Sequence, residues 1–92
     1  MRFGDPFNLG GVFGQGINVY ITGPIPNGAT LVVLRTQGNI IGLFVSQPPA
    51  AGANLIAFAN GLVRLDAFLV SDMTAFLSGD ISVVIAEATW RQ

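Results

Sequence analysis

The side chains that could carry out chemistry are few and lie far apart in this sequence. The chain has no histidine and no cysteine, which removes the commonest general base, the commonest metal ligand and every thiol nucleophile. Acid–base catalysis by two carboxylates needs them held at a fixed spacing, but Asp66, Asp72 and Asp80 are separated by predicted loops. Ser71 has neither a histidine nor a lysine in the chain to activate it. We therefore predict no catalytic residues and no enzyme activity.

The acidic residues are also badly spaced for metal binding. Calcium needs several oxygen ligands in one compact loop, whereas the five acids of this chain are isolated. Asp72 and Asp80 are typical of turn or cap positions. Asp66 lies two residues after Arg64 on one face of a predicted strand, where a simple ion pair is expected. The sequence predicts no metal site.

The stretch GGVFGQG, residues 10–16, raises the question of a phosphate-binding loop. A P-loop needs a lysine and a serine or threonine after its glycines, at the start of a helix. This stretch has neither, and the strand-like INVYIT, residues 17–22, follows it. A dinucleotide fingerprint fails for the same reason, and the chain has no room for the βαβ unit. We predict no bound cofactor and interpret the glycines as flexible or tightly turning backbone.

The composition indicates a single small domain whose surface is unusually poor in charge. Of the 92 residues, 51% are apolar and 10% are charged, and the basic residues are all arginine, against about 25% charged residues in an ordinary domain. Monomers normally stay in solution through scattered charges, and large exposed apolar patches mark interfaces. We therefore expect other chains to cover part of the outer surface. The alternative is a monomer whose surface is made of Ser, Thr, Asn, Gln and Gly.

Charge and hydropathy patterns bear on partners and location. The net charge is −1 and the four arginines are far apart, so we predict no nucleic acid partner, because phosphate binding draws on a concentrated basic face. Residues 1–8, MRFGDPFN, lack the apolar core of a signal peptide. The charge-free stretch 36–63 is broken by glycine, proline and asparagine, so we predict no membrane span.

From residue 17 onward, β-branched and aromatic residues with turn signals at intervals of about 8–12 residues predict an all-β fold. We expect a small antiparallel β-sandwich or barrel of six to seven short strands, with an extended glycine-rich arm at 1–16 and a single β domain at 17–92. Some strands are apolar on both faces. A strand with one face in water would instead show alternating apolar and polar residues. The predicted strands are 17–22, 29–37, 39–46, 54–59, 62–68 and 80–90.

Turn signals predict how these strands connect. A tight turn at 37–39 pairs two strands as a hairpin, and Asn60-Gly61 predicts a type I′ hairpin between 54–59 and 62–68. Residues 71–79 fit a single helical turn capped by Ser71. They also fit a strand or a short 3₁₀ turn, and we favour this second interpretation. In the last strand, Ile81, Val83 and Ile85 are expected on one face.

The two ends of the chain carry the candidate interface residues. Aromatic residues and arginine are enriched in the energetically dominant positions of protein interfaces. The aromatics could instead plug the open ends of the sandwich within their own domain. The candidates are Arg2, Phe3, Phe7, Phe13, Trp90 and Arg91.

The chain combines an arm at 1–16, glycine-rich turns and short strands such as ATLVVLRTQ (29–37) and NIIGLFVS (39–46). In this it resembles the small β-domain proteins of phage virions, which decorate or cement capsids or serve as head–tail structural subunits. The resemblance implies a non-enzymatic assembly subunit, located in the virion. It also implies that the chain binds itself as a homo-oligomer such as a trimer, together with a larger protein shell.

The alternative function is a small β-sandwich module that binds a ligand or a carbohydrate, like an adhesin. Its loop tips would carry the ligand, and Tyr20 or Trp90 would stack on a sugar ring. Such a module needs clustered aromatic and polar groups on one face, and the sequence offers no such cluster.

Overall fold

The computed structural model describes residues 1–11, 14–59, 61 and 64–92. Within these residues the chain forms eight strands in two antiparallel sheets, which confirms the all-β class. The strands are β1 (Arg2–Phe3), β2 (Phe7–Gly10), β3 (Gly14–Ile21), β4 (Thr30–Gln37), β5 (Ile40–Ser46), β6 (Gly52–Phe58), β7 (Arg64–Val70) and β8 (Val84–Arg91), with one helix, α1 (Met73–Leu77). No helix among the described residues is long and apolar enough to cross a membrane.

The first sheet is built around β3. Its residues 15–21 pair with 52–58 of β6 along one edge, while β1 and β2 pair with the other edge. Residues 2–3 and 7–10 of the arm predicted at 1–16 are therefore paired with β3, and Gly4 N also donates to Asn18 O at 2.8 Å. The strand predicted to begin at Ile17 begins at Gly14, because the glycines of this stretch pair with β2 and β6.

The second sheet has the strand order β5-β4-β7-β8. The predicted hairpin between β4 and β5 is confirmed: Gln37 pairs with Ile40, and Gly38 has a φ of +59°, a left-handed conformation that suits glycine. β7 is paired on both sides, with β4 and with β8.

The hydrophobic core lies between the two sheets, as in a sandwich. In the strands that line it, alternate residues point inward, so that Ile17 and Val19 of β3 face Leu31 and Val33 of β4. The remaining buried members of this cluster are Ile56, Phe58, Leu65 and Ala67.

The predicted hairpin of 54–59 with 62–68 is wrong. β6 pairs with β3 in the first sheet, and both edges of β7 are occupied in the second, so the chain crosses between sheets here. Crossing places the apolar faces of β6 and β7 on opposite sides of one core, where Ile56 and Phe58 of β6 join the same buried cluster as Leu65 and Ala67 of β7. Asn60 lies outside the described residues, and Gly61 has a φ of +93°.

The strand or 3₁₀ turn favoured for 71–79 is also wrong, since Met73–Leu77 is an α-helix. Its N-cap is Asp72, whose Oδ1 accepts from Ala75 N at 3.0 Å; Ser71, the predicted cap, instead donates its backbone N–H to Val83 O. Gly79 follows the helix with a φ of +101°.

The last strand starts later than predicted. Ile81–Val83 is a 3₁₀ turn, because the Asp80 side chain caps it by accepting from Ser82 N. Ile81 therefore does not share a strand face with Ile85, and β8 begins at Val84.

Candidate functional site

Strand β5 is an open edge of the second sheet. It pairs with β4 over its whole length, without a register shift, and no described strand pairs with its outer edge. Its sequence, IIGLFVS, contains no charge and no proline. Natural proteins usually block such an edge with lysine, proline, a bulge or a covering element, and β5 itself has none of the first three.

The outward face of β5 is apolar. Alternate residues share one face, and three of them are exposed: Ile41 by 68%, Leu43 by 48% and Val45 by 40%. Phe44 points the other way and packs against the core. We call the exposed trio the β5 patch.

The opposite edge of the same sheet is protected. β8 carries the charges of Glu87 and Arg91, and its pairing with β7 is interrupted by a register shift next to Val70. β1 also contacts β8. The two edges therefore differ in features that prevent edge-to-edge association: β8 has charged residues and a register shift, and β5 has neither.

The outward face of the second sheet changes from apolar at β5 to polar at β7 and β8. Arg64 Nε lies 2.8 Å from Asp66 Oδ2, which confirms the ion pair expected from the sequence. Thr89 Oγ1 donates to Asp66 Oδ1 at 3.0 Å. Helix α1 packs on this face through Phe76, whose ring centroid lies 4.9 Å from that of Phe68. Polar side chains and a helix thus occupy the β7–β8 half of the face.

A second apolar cluster lies on the outward face of the first sheet. Phe7, Leu9 and Leu55 are each 40–49% exposed. Leu9 and Leu55 converge on Gly16, where a Cβ atom would come within 3.0 Å of both side chains. The glycine at position 16 therefore lets two strands of this sheet bring their leucines together.

A cavity of about 280 Å³ opens at the side of the sandwich where β5 and β6 lie. One wall is formed by the second sheet and the other by the end of β6; the lining residues are Arg35, Gln37, Ile40 and Gly42 on the first wall and Ala57, Phe58 and Ala59 on the second. Arg35 Nη1 donates to Ala57 O at 3.3 Å, which joins the two sheets. Arg35 Nε is buried and has no hydrogen-bond partner in the described part of the chain.

The structure separates the predicted interface residues into two groups. Phe3 and Trp90 are partly buried and pack against the same core cluster. Arg2, Phe7 and Arg91 are exposed, and the Arg2 guanidinium lies 4.4 Å from the centre of the Tyr20 ring. Phe13 lies outside the described residues.

Two of the acidic residues cap helical turns. Asp72 and Asp80 are both N-caps, as their positions in the sequence indicated. Hydrogen bonds from the Ser82 hydroxyl and backbone N–H lower the pKa of Asp80 below its ordinary value of 3.8. Among the described residues, no group of three or more acidic side chains could hold a metal ion.

Comparison with protein-family models, with curated proteins and with solved structures finds no match. The function must therefore be inferred from the two apolar surfaces and the cavity. The sequence predicted that some strands are apolar on both faces, but it did not indicate that β5 forms an interface. Arg35 was also missed, since its only signal is a single charge inside the apolar run TLVVLRTQ.

Proposed function

We propose that this chain is a non-enzymatic structural assembly subunit that associates with copies of itself through β5. The observation that supports the proposal is the open, uncharged edge of β5 with its exposed patch of Ile41, Leu43 and Val45. An edge strand presents unpaired backbone N–H and C=O groups, which a strand from another chain can complete.

A second copy of β5 is the strand that fits this edge. Antiparallel pairing about Leu43 sets Leu43 opposite its own counterpart and Ile41 opposite Val45, and paired residues lie on the same face. The two patches then form one apolar stripe of six side chains. The contact is self-complementary, as a two-fold interface requires, and no charged residue of β5 opposes it.

The expected affinity is modest. Fully burying a Val, Leu or Ile side chain contributes about 1.5–3 kcal/mol. Edge pairing covers the flanks of the six half-exposed side chains but not their outer face, so they supply at most roughly 6 kcal/mol. Association costs about 4–15 kcal/mol in lost freedom, so the new backbone hydrogen bonds must provide the rest. We expect the fraction of associated chains to rise with protein concentration. Binding to a larger particle should raise this fraction further.

The more specific form of the proposal is a decoration or cement protein of a virion, or a head–tail subunit, bound to a protein shell. It rests on the resemblance stated above and on the second apolar cluster of Phe7, Leu9 and Leu55. That cluster lies on the other sheet, so it stays accessible when two copies of β5 pair. A subunit that binds its own kind and a shell needs two such surfaces.

The alternative, a carbohydrate-binding module, has less support from the aromatic residues. Trp90 packs against the core with its ring on Phe58, and Arg2 covers one face of Tyr20. Stacking on a sugar needs an accessible ring face, and the two aromatic residues expected to provide it are engaged within the chain.

The experiment is the solution mass of the full chain by light scattering after size exclusion, across a range of concentrations. Leu43→Lys places a charge in the middle of the β5 edge, and Ile81→Lys is the matched control. Ile81 is 81% exposed and lies in the 3₁₀ turn away from β5. We expect oligomers for the wild type and for Ile81→Lys, and a monomer for Leu43→Lys. A wild type that stays monomeric at every concentration would contradict the proposal.

A further inference from the structure

Arg35 is a charged residue at a position of β4 where the alternating pattern of the strand predicts an apolar residue. It follows Leu31 and Val33 on β4 with a spacing of two, so it shares their face toward the first sheet. Leu31 and Val33 are completely buried there. Arg35 stands where this inward face reaches the cavity at the open side of the sandwich.

The guanidinium group of Arg35 is only partly satisfied by the chain. Nη1 donates to Ala57 O at 3.3 Å, but the buried Nε has no acceptor among the described residues. The one salt bridge in that part of the chain joins Arg64 to Asp66, so no carboxylate there neutralises Arg35. A permanently charged guanidinium without a carboxylate partner favours an anionic acceptor from outside.

The cavity beside Arg35 has largely apolar walls, with Gln37 as a second polar residue, and room for a small molecule. Phe58 and Ile40 contribute hydrophobic surface. Gly42 keeps the space next to the guanidinium open, because a Cβ at that position would come within 3.2 Å of Arg35 Nη2. A closed apolar cavity of about 150 Å³ holds benzene, so about 280 Å³ has room for a ring or short chain with a polar head group.

We propose that this cavity binds a carboxylate carried on a small apolar body, with the Arg35 guanidinium as its anion partner. The planar fork of N–H donors matches the two oxygens of a carboxylate, and the apolar walls take the rest of the ligand. This inference is independent of self-association through β5. The carboxylate could belong to a free organic acid or to an acidic group of a neighbouring copy.

Benzoate titrated into the full chain, followed by amide NMR shifts, tests the proposal. For the wild type we expect saturable binding with a dissociation constant on the order of 1 mM, and shifts at the amides of Gly42 and Ala57. Arg35→Met should weaken binding at least tenfold. Arg64→Met is the matched control, because it removes the same charge from the opposite face of the sheet, and it should bind within twofold of the wild type.

Benzamide, which has the same shape without the charge, should bind the wild type at least tenfold more weakly than benzoate. Equal binding of benzoate by wild type and Arg35→Met, or shifts confined to residues away from the cavity, would overturn the proposal. Because the shift map uses the wild type, it decides the matter even if Arg35→Met fails to fold. Light scattering with and without benzoate distinguishes the sources: dissociation of oligomers assigns the native carboxylate to a neighbouring copy, and unchanged mass assigns it to a free acid.

Discussion

The ring of Trp90 packs on that of Phe58, with centroids 6.0 Å apart and planes inclined at 42°. Trp90 belongs to β8 in the second sheet and Phe58 to β6 in the first, so the contact crosses the sandwich. Both residues join the central core cluster. Trp90 therefore stabilises its own domain, although its position near the end of the sequence also suggested an interface.

Replacing Trp90 by alanine should destabilise the fold by about 2–3 kcal/mol, somewhat less than the 3–5 kcal/mol typical of a fully buried aromatic residue. Chemical denaturation followed by circular dichroism measures the change, since Trp90 is the single tryptophan of the chain. Arg91→Ala, at the exposed neighbouring position, should stay within about 0.5 kcal/mol of the wild type. Equal stability of the two variants would show that the Phe58 contact contributes little.

Deletion of residues 1–10 distinguishes an integral part of the sheet from a dispensable arm. The deletion removes β1 and β2, which cover one edge of β3, and takes Phe3 out of the core. We expect a lower melting temperature and more aggregation, because the edge of β3 becomes unpaired. Leu9→Ser, which keeps the backbone of β2, should change stability far less. A melting temperature unchanged by the deletion would restore the arm interpretation.

Gly61 adopts a φ of +93° in the connection between the two sheets. A β-branched residue is strained in this conformation, so Gly61→Val should cost about 1 kcal/mol or more. Gly23→Val is a suitable control, because a Cβ at Gly23 meets open space and no positive φ is required there. Thermal or chemical denaturation of the two variants gives the comparison, and similar stabilities would argue against strain at Gly61.

The hydrogen bonds from Ser82 should control the titration of Asp80. The Ser82 hydroxyl donates to Asp80 Oδ1 at 2.6 Å and the backbone N–H at 2.9 Å, and both lower the pKa of the carboxyl group. A lowered pKa in the folded state adds stability that is complete above about pH 4 and is lost as the pH falls through the folded value. Carboxyl-carbon NMR should show a pKa below 3.8 in the wild type and a higher one in Ser82→Ala. An identical pKa in both proteins would assign the shift to another cause.

The fold class was predictable from the sequence because it depends on a signal repeated along the whole chain. Short runs of β-branched and aromatic residues, separated by glycine and proline, leave few alternatives to stacked antiparallel sheets. The partner of each strand was harder to predict. Asn60-Gly61 is a strong local hairpin signal, but β6 pairs with β3 and β7 with β4, strands that lie far away in the sequence.

The sequence predicted that the chain has a covered apolar surface, but it did not predict where on the fold this surface lies. The low charge and the apolar run of β5 indicated a covered surface, and β5 carries four of the exposed large apolar residues, Ile40, Ile41, Leu43 and Val45. Which strand forms the sheet edge depends on the pairing of the whole sheet, which no local pattern encodes. Arg35 could not be identified as a cavity residue for the same reason, since the opposite wall comes from a distant part of the chain.

Disulfide trapping at Leu43 tests the central claim, self-association through β5, most directly. The chain has no cysteine, so Leu43→Cys introduces a single thiol at the proposed two-fold axis. Facing residues of paired antiparallel strands have Cα atoms about 4.5–5.5 Å apart, within the range that a disulfide spans. We expect rapid formation of a covalent dimer under mild oxidation, and far slower formation by the control Ile81→Cys. Equal, slow cross-linking of both variants would contradict pairing through β5.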